Sequence, residues 1–259
     1  YTTGSIGKWH LGWGDEINAD WNRDVKPGPL ETGFDYSYGI YWGVSVPGKP
    51  AWPAFIENRH MVGLSDGDDI NNPDTRQRII HDPHDTGLNL AAKATDFIRR
   101  NKKGPFFLYF PTVNVHLQYT PNTRFKSKLG DYADYVKELD WIVSQVTDTL
   151  EREGIADNTL IIFTSDNGSD CKNTPRGHRT NGPWRGSKGM IYEGGHRVPF
   201  IVKWPGRIAP GSTSAATICL TDIYATVTVA LGIAKPQGGA PDSFDFSSLF
   251  DPAHAAEFR

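Results

Sequence analysis

From Leu90 onward, apolar residues recur at helical intervals. Leu90, Ala91, Ala94, Phe97 and Ile98 share one face, and the pattern stops at Asn101-Lys102-Lys103-Gly104-Pro105, where glycine and proline end a helix. Phe106 to Phe110 is then an unbroken apolar run, the pattern of a strand covered on both faces. A longer amphipathic stretch follows, with Tyr132, Tyr135, Val136, Leu139, Ile142, Val143, Val146 and Leu150 on one side and a stop at Gly154. Thr159 to Thr164 reads as a second buried strand, Val198 to Lys203 as a third, and Leu220 to Leu231 as a helix capped by Thr221 or Asp222. Strand, helix and strand at this spacing predict a right-handed crossover within a parallel sheet. The segments just after Phe110 and Thr164 then share the carboxyl-end edge, where open α/β sheets bind ligands. Residues 13 to 86 differ: they are rich in Gly, Pro, Trp, Tyr and Asp, as in Val46-Pro47-Gly48-Lys49-Pro50 and Asp66-Gly67-Asp68-Asp69, and show little periodicity. Long binding loops are expected there.

The 259 residues, 38% hydrophobic and 12% aromatic, suffice for one large α/β domain with a sizeable core. A formal charge of -3 gives no global attraction for nucleic acid or an anionic membrane, so an anionic ligand must be drawn by local cations. No stretch has the apolar length of a membrane span, and the amino end shows no basic segment followed by an apolar leader, so no membrane insertion is expected. Cys171 and Cys219 are too far apart for a zinc-type pair and too few for a disulfide scaffold, which leaves structural thiols, unpaired or singly bridged.

Local cations and oxygen donors are present. Asp166 and Asn167, directly after the Thr159–Thr164 strand, offer a carboxylate and an amide oxygen that suit Ca²⁺ or Mg²⁺, and Gly168 allows a tight turn. The competing reading is an Asp-Asn-Gly turn that satisfies itself. Lys8 and His10 are two residues apart, so an extended segment presents an ammonium and an imidazole to one oxyanion; a surface strand with Trp9 inward fits equally. Lys188 lies among Arg176, His178, Arg179, Arg185, His196 and Arg197, either an anion site or a solvated basic loop. His116 occupies the strand-to-helix loop at the ligand edge, placed to donate a proton to a leaving oxygen or to bond loop carbonyls.

Taken in order, Gly7-Lys8-Trp9-His10-Leu11-Gly12, Ser165-Asp166-Asn167-Gly168, Arg185-Gly186-Ser187-Lys188 and the run from Glu193-Gly194-Gly195-His196-Arg197 to Trp204-Pro205-Gly206 closely resemble the type I, arylsulfatase-like sulfatases. Thr221-Asp222-Ile223-Tyr224-Ala225-Thr226 also resembles the family segment that follows, so the likeness runs from Tyr1 to about Phe250. It implies an alkaline-phosphatase-like α/β fold, a mostly parallel sheet sandwiched by helices and incomplete at both ends. It further implies a bound Ca²⁺, in preference to Mg²⁺, and hydrolysis of sulfate esters, with a sulfated carbohydrate among the candidate substrates. In that family a cysteine or serine becomes formylglycine, whose hydrated form attacks sulfur. By the same resemblance Lys8 and Lys188 contact sulfate, Lys8 also meets the nucleophile, and His10 assists release of sulfate. His116 stands at the leaving oxygen, and Asp166 with Asn167 are metal ligands. An exported compartment, periplasmic, extracellular or lysosomal, is expected on the same ground.

The sequence departs from the family in several ways. The nucleophile motif (Cys or Ser, any residue, Pro or Ala, Ser or Ala, Arg) does not occur, and neither Cys171, followed by Lys172-Asn173-Thr174, nor Cys219, followed by Leu220-Thr221-Asp222, replaces it. The upstream acidic pair and the first strand of the family sheet are also absent. Where the family has His-Thr-Pro, this chain has His116-Leu117-Gln118-Tyr119-Thr120-Pro121. The expectation is therefore a partial catalytic domain over residues 1–259. Residues 13–86 form the substrate loops, 87–250 the core sheet and helices, and the smaller carboxyl-terminal subdomain is largely missing. Such a fragment is expected to be inactive alone and to carry exposed strand edges. The alternatives are a non-catalytic binder of anions or sulfated glycans and a phosphodiesterase or phosphonate hydrolase of the same superfamily.

Overall fold

The computed structural model describes residues 1–14, 21–44, 52–170 and 178–251. The chain divides into two compact units, Tyr1–Ile155 with Cys171–Gly182, and Ala156–Asp170 with Pro183–Arg259.

The first unit is built on strands β1 (Thr2–Lys8), β2 (Tyr36–Val44), β3 (Trp52–Glu57) and β4 (His60–Met61), helices α1 (Pro73–Ile79) and α2 (Thr86–Asn101), strand β5 (Phe106–Tyr109) and helix α3 (Asp131–Arg152). Its sheet runs β4-β3-β2-β1-β5. β1 lies between two parallel neighbours, with Gly4 opposite both Tyr36 and Leu108, while β3 and β4 fold back antiparallel. Gly4 lets α2 pack closely on β1: a side chain there would collide with the ring of Phe97, which α2 lays across the strand. The core gathers Ile6, Tyr38, Ile40, Phe55, Leu90, Ala94, Phe97, Val113 and Tyr135, and each large apolar side chain removed from water adds about 1.5–3 kcal/mol.

The amphipathic patterns resolve into α2 and α3. Within β5, Phe106, Leu108 and Phe110 pack on the core, whereas Phe107 and Tyr109 alternate outward at 45% and 46% exposure, so this strand is covered on one face and not on both. The described residues of 13–86 hold three strands and an α-helix as well as loops, because their glycines and prolines interrupt Tyr- and Ile-bearing strand segments without abolishing them.

The second unit contains β6 (Ile161–Thr164), α4 (Glu193–His196), β7 (Phe200–Lys203) and α5 (Asp222–Ala230). β6 pairs antiparallel with β7, Phe163 facing Ile201, in a two-stranded sheet of its own. Among the described residues β5 pairs with β1 and β6 with β7, and the expected crossover pairing of β5 with β6 is not among the described pairings. Spacing constrains the connection but not the partner, and the fold is α/β with mixed strand directions. Thr221 sits at the amino-terminal cap of α5 without a side-chain cap bond. Asp222 does the local work instead, its carboxylate accepting from the backbone N–H groups of Cys219 (2.7 Å) and Phe244 (3.0 Å). Phe246, 1% exposed, packs edge-on against Phe200 and Phe250 and centres this unit's apolar packing.

Candidate active site

In the first unit the chemistry sits at one edge of the five-stranded sheet. β1 and β5 run parallel, so both present their carboxyl ends there, and the Lys8 backbone N–H donates to Pro111 carbonyl at 2.8 Å. Gly7, at φ +128°, admits this approach, because a side chain would collide with the same carbonyl oxygen. Lys8 is half-buried at the strand end and His10 is exposed just beyond it. β1 ends at Lys8, so the alternation expected to put Lys8 and His10 on one face does not extend to His10. Trp9 closes the turn, its indole N–H donating to Gly12 carbonyl (3.0 Å) and its ring lying edge-on to Phe34.

His116 projects from a loop that is otherwise tied down. Val113 is buried in the core, Val115 and Tyr119 pack on it, and Tyr119 meets Tyr132 of α3 at 5.2 Å. The His116 N–H donates to Val113 carbonyl at 2.8 Å, and Nδ1 faces the Leu117 carbonyl. Sequence reasoning missed two neighbours, Asn114 and Glu138. Glu138 lies three residues after Tyr135 and four before Ile142, so it stands on the buried stripe of α3, a charged residue at a core position. Burial pushes its carboxyl upward, against the N–H of Asn122 and the amide of Asn114, which pull it down.

In the second unit, Asp166, Asn167 and Lys188 are carried by loops laced through the backbone. Gly168 N–H donates to Gly195 carbonyl (2.9 Å), Lys188 N–H to Ser169 carbonyl (3.0 Å) and Gly194 N–H to Arg185 carbonyl (2.8 Å). Gly168, Gly194 and Gly195 have backbone oxygens where any side-chain carbon would sit, so this packing needs glycine at each position. Asp166 and Lys188 are exposed. Asn167 Oδ1 is buried and has no hydrogen-bond partner, as does Thr164 Oγ1.

An orphaned amide oxygen beside a carboxylate suits a hard cation and does not suit a self-satisfied turn. These are two donors, and among the described residues no group of three or more His, Cys, Asp or Glu side chains could hold a metal. Two cations of the basic segment are engaged by aromatic rings: Arg185 lies 3.8 Å over Tyr192 and Arg197 lies 4.0 Å over Trp184. Arg176 and Cys171 lie outside the described residues. Cys219 is exposed and free, its thiol held below the usual value mainly by the Thr221 side chain. Among the described residues no helix is long and apolar enough to cross a membrane.

The sulfatase family model matches residues 1–233. The chain is 33% identical to an N-acetylgalactosamine-6-O-sulfatase of Bacteroides thetaiotaomicron, covering 94% of this chain and 56% of that protein. It is 31% identical to the steryl-sulfatase of Rattus norvegicus, covering 96% and 52%. A solved structure from work on glycosaminoglycan metabolism by Bacteroides thetaiotaomicron superposes with a TM-score of 0.86 at 30% identity, covering all of this chain and 62% of that one. The chain spans about half the length of the curated relatives it matches. With a family model matched over most of its residues, and motif loops set at the strand ends, this chain belongs to the sulfatase family.

Proposed function

We propose that the complete protein hydrolyses a sulfate ester of a carbohydrate, most closely of the 6-sulfated N-acetylhexosamine kind named for its Bacteroides relative. Lys8 and Lys188 would offset the charge of the sulfate group, lowering the repulsion felt by an approaching nucleophile. His116 would deliver a proton to the departing sugar oxygen, and His10 would handle the proton of sulfate release. Asp166 and Asn167 would contribute two oxygen ligands to Ca²⁺, which when bound stabilises negative charge on the sulfate oxygens. The nucleophile, formylglycine in the resembled family, has no counterpart motif in these 259 residues. An exported compartment fits a substrate of this class.

The observation that carries the reading is the orphaned Asn167 Oδ1, next to Asp166 on a loop hydrogen-bonded to the one bearing Lys188. The test is sulfate release by the complete protein from an N-acetylgalactosamine 6-sulfate and from a matched phosphate diester. Turnover of the sulfate, reduced at least 100-fold by Lys188→Ala, supports the reading. Preference for the diester, or binding of sulfated glycan without release, overturns it.

A further inference from the structure

α3 buries two carboxylates one turn apart, Asp134 and Glu138, each 0% exposed, and Glu138 is turned toward the loop that carries His116. Glu138 Oε2 accepts from the Asn122 backbone N–H at 2.6 Å, and Oε1 accepts from the Asn114 amide at 3.4 Å. Asp134 accepts from the backbone N–H of Ser127 at 2.9 Å and from its hydroxyl. Asn122 is tied in addition to Asp85 (2.7 Å), and Pro121 carbonyl faces His84 Nδ1 (2.8 Å). His116 thus lies between two points, Asn114 and Asn122, held by the same carboxylate. α2 yields space for that carboxylate: its second residue is Gly87, where a side chain would collide with Glu138 Oε1. Glycine is a weaker helix former than alanine. A buried carboxylate is unfavourable beside a well-packed apolar side chain of like volume. Both features work against stability and together spare one arrangement, a buried acid gripping the two ends of the His116 loop.

We propose that Glu138 is a positioning residue for sulfate-ester hydrolysis, holding the Asn114–Asn122 loop so that the His116 imidazole meets the leaving oxygen. The proposal rests on the reading of His116 given above. Misplacing a proton donor by about 1 Å lowers turnover by roughly 100-fold. The loss is concentrated on poor leaving groups, because a nitrophenolate departs without needing the proton.

The complete protein and its Glu138→Ala, Glu138→Gln, Asn114→Ala and His116→Ala variants are compared on a sugar 6-sulfate and on nitrophenyl sulfate. Glu138→Ala is expected to lower kcat on the sugar ester by roughly 10- to 100-fold, with a several-fold smaller effect on nitrophenyl sulfate and KM little changed. Glu138→Gln is expected to recover most of the loss, since its amide oxygen can accept from Asn122 and its NH₂ can donate to Asn114 Oδ1, which is buried without a partner. If Glu138→Ala does not fold, Asn114→Ala, which removes one of the two grips, carries the same comparison. Selective loss in His116→Ala with equal loss on both esters in Glu138→Ala (or Asn114→Ala) overturns the positioning role and leaves the His116 reading standing. Equal loss on both esters in His116→Ala overturns both.

Discussion

A buried amide oxygen without a partner costs about 1–3 kcal/mol, so Asn167 Oδ1 is a residue-scale statement about what the folded protein binds. Chelating divalent cations is expected to lower the Tm of the complete protein by roughly 2–4 °C per kcal/mol of lost binding, and Asn167→Ala should respond much less. An equal response of both proteins in a thermal melt would remove Asn167 from the ligand set. Gly168 is constrained just as tightly. Its missing side chain leaves room for the Gly194 carbonyl, which is backbone and cannot swing aside, so Gly168→Ala should lose about 1–3 kcal/mol in urea denaturation. Glu57 supplies a pH handle. Burial raises its carboxyl, but the bonds from Lys93 (2.8 Å) and the Tyr36 hydroxyl (2.7 Å), with the positive charges of Lys93 and Arg100, together hold it below the usual carboxylate value. An acid lowered on folding stabilises the protein above its unfolded value, and that contribution disappears as pH falls through the folded one. Glu57→Gln should therefore flatten the fall in Tm between about pH 5 and pH 3.

At the scale of elements, α3 shows how far a helical pattern can be read. Tyr135, Ile142 and Leu150 are buried as the periodicity requires, yet Val136, placed on the same apolar side, is 41% exposed. Ile142→Ala should destabilise by about 2–5 kcal/mol and Val136→Ala by roughly 0.5 kcal/mol or less, a contrast that denaturant titration resolves directly. Glu138, between Tyr135 and Ile142 on the buried stripe, holds a core position that an apolar count treats as solvent-facing. The same blindness explains the rest. β5 and α3 were legible because their runs are long or periodic, whereas β2 and β3 are broken by Gly39, Gly43 and Pro53. β6 is four residues long and its partner β7 starts at Phe200, so no local pattern identifies the pairing. Lys8, His116, Asp166 and Lys188 were legible as motif residues at element ends. The bonds that hold them, from Asn114, Asn122, Gly168 and Gly194, run between residues distant in sequence and became visible only in three dimensions.

At the scale of the whole molecule, two compact units carry separate apolar packing, and several large side chains on strands remain outside it. Phe107 and Tyr109 on β5 are 45% and 46% exposed and Ile201 on β7 is 60% exposed. Among the described residues β5 pairs with β1, and apolar strand residues left in water favour pairing with another copy of the chain. Residues 1–259 expressed alone are expected to self-associate at micromolar concentration, and Phe107→Lys should reduce this. Size-exclusion chromatography that shows a monomer in both cases would sink the expectation.

β1 carries Lys8 and lies between β2 and β5, with Thr2 opposite the sequence-distant Phe106. At a synthesis rate of roughly 5–20 residues per second, about 5 to 20 seconds separate the emergence of these two strands. Within that interval β2 emerges and can cover one flank of β1, while the flank that Phe106–Tyr109 fills stays open. The lysine at the tip of β1 therefore waits for a strand synthesised roughly a hundred residues later before both sides of its own strand are held.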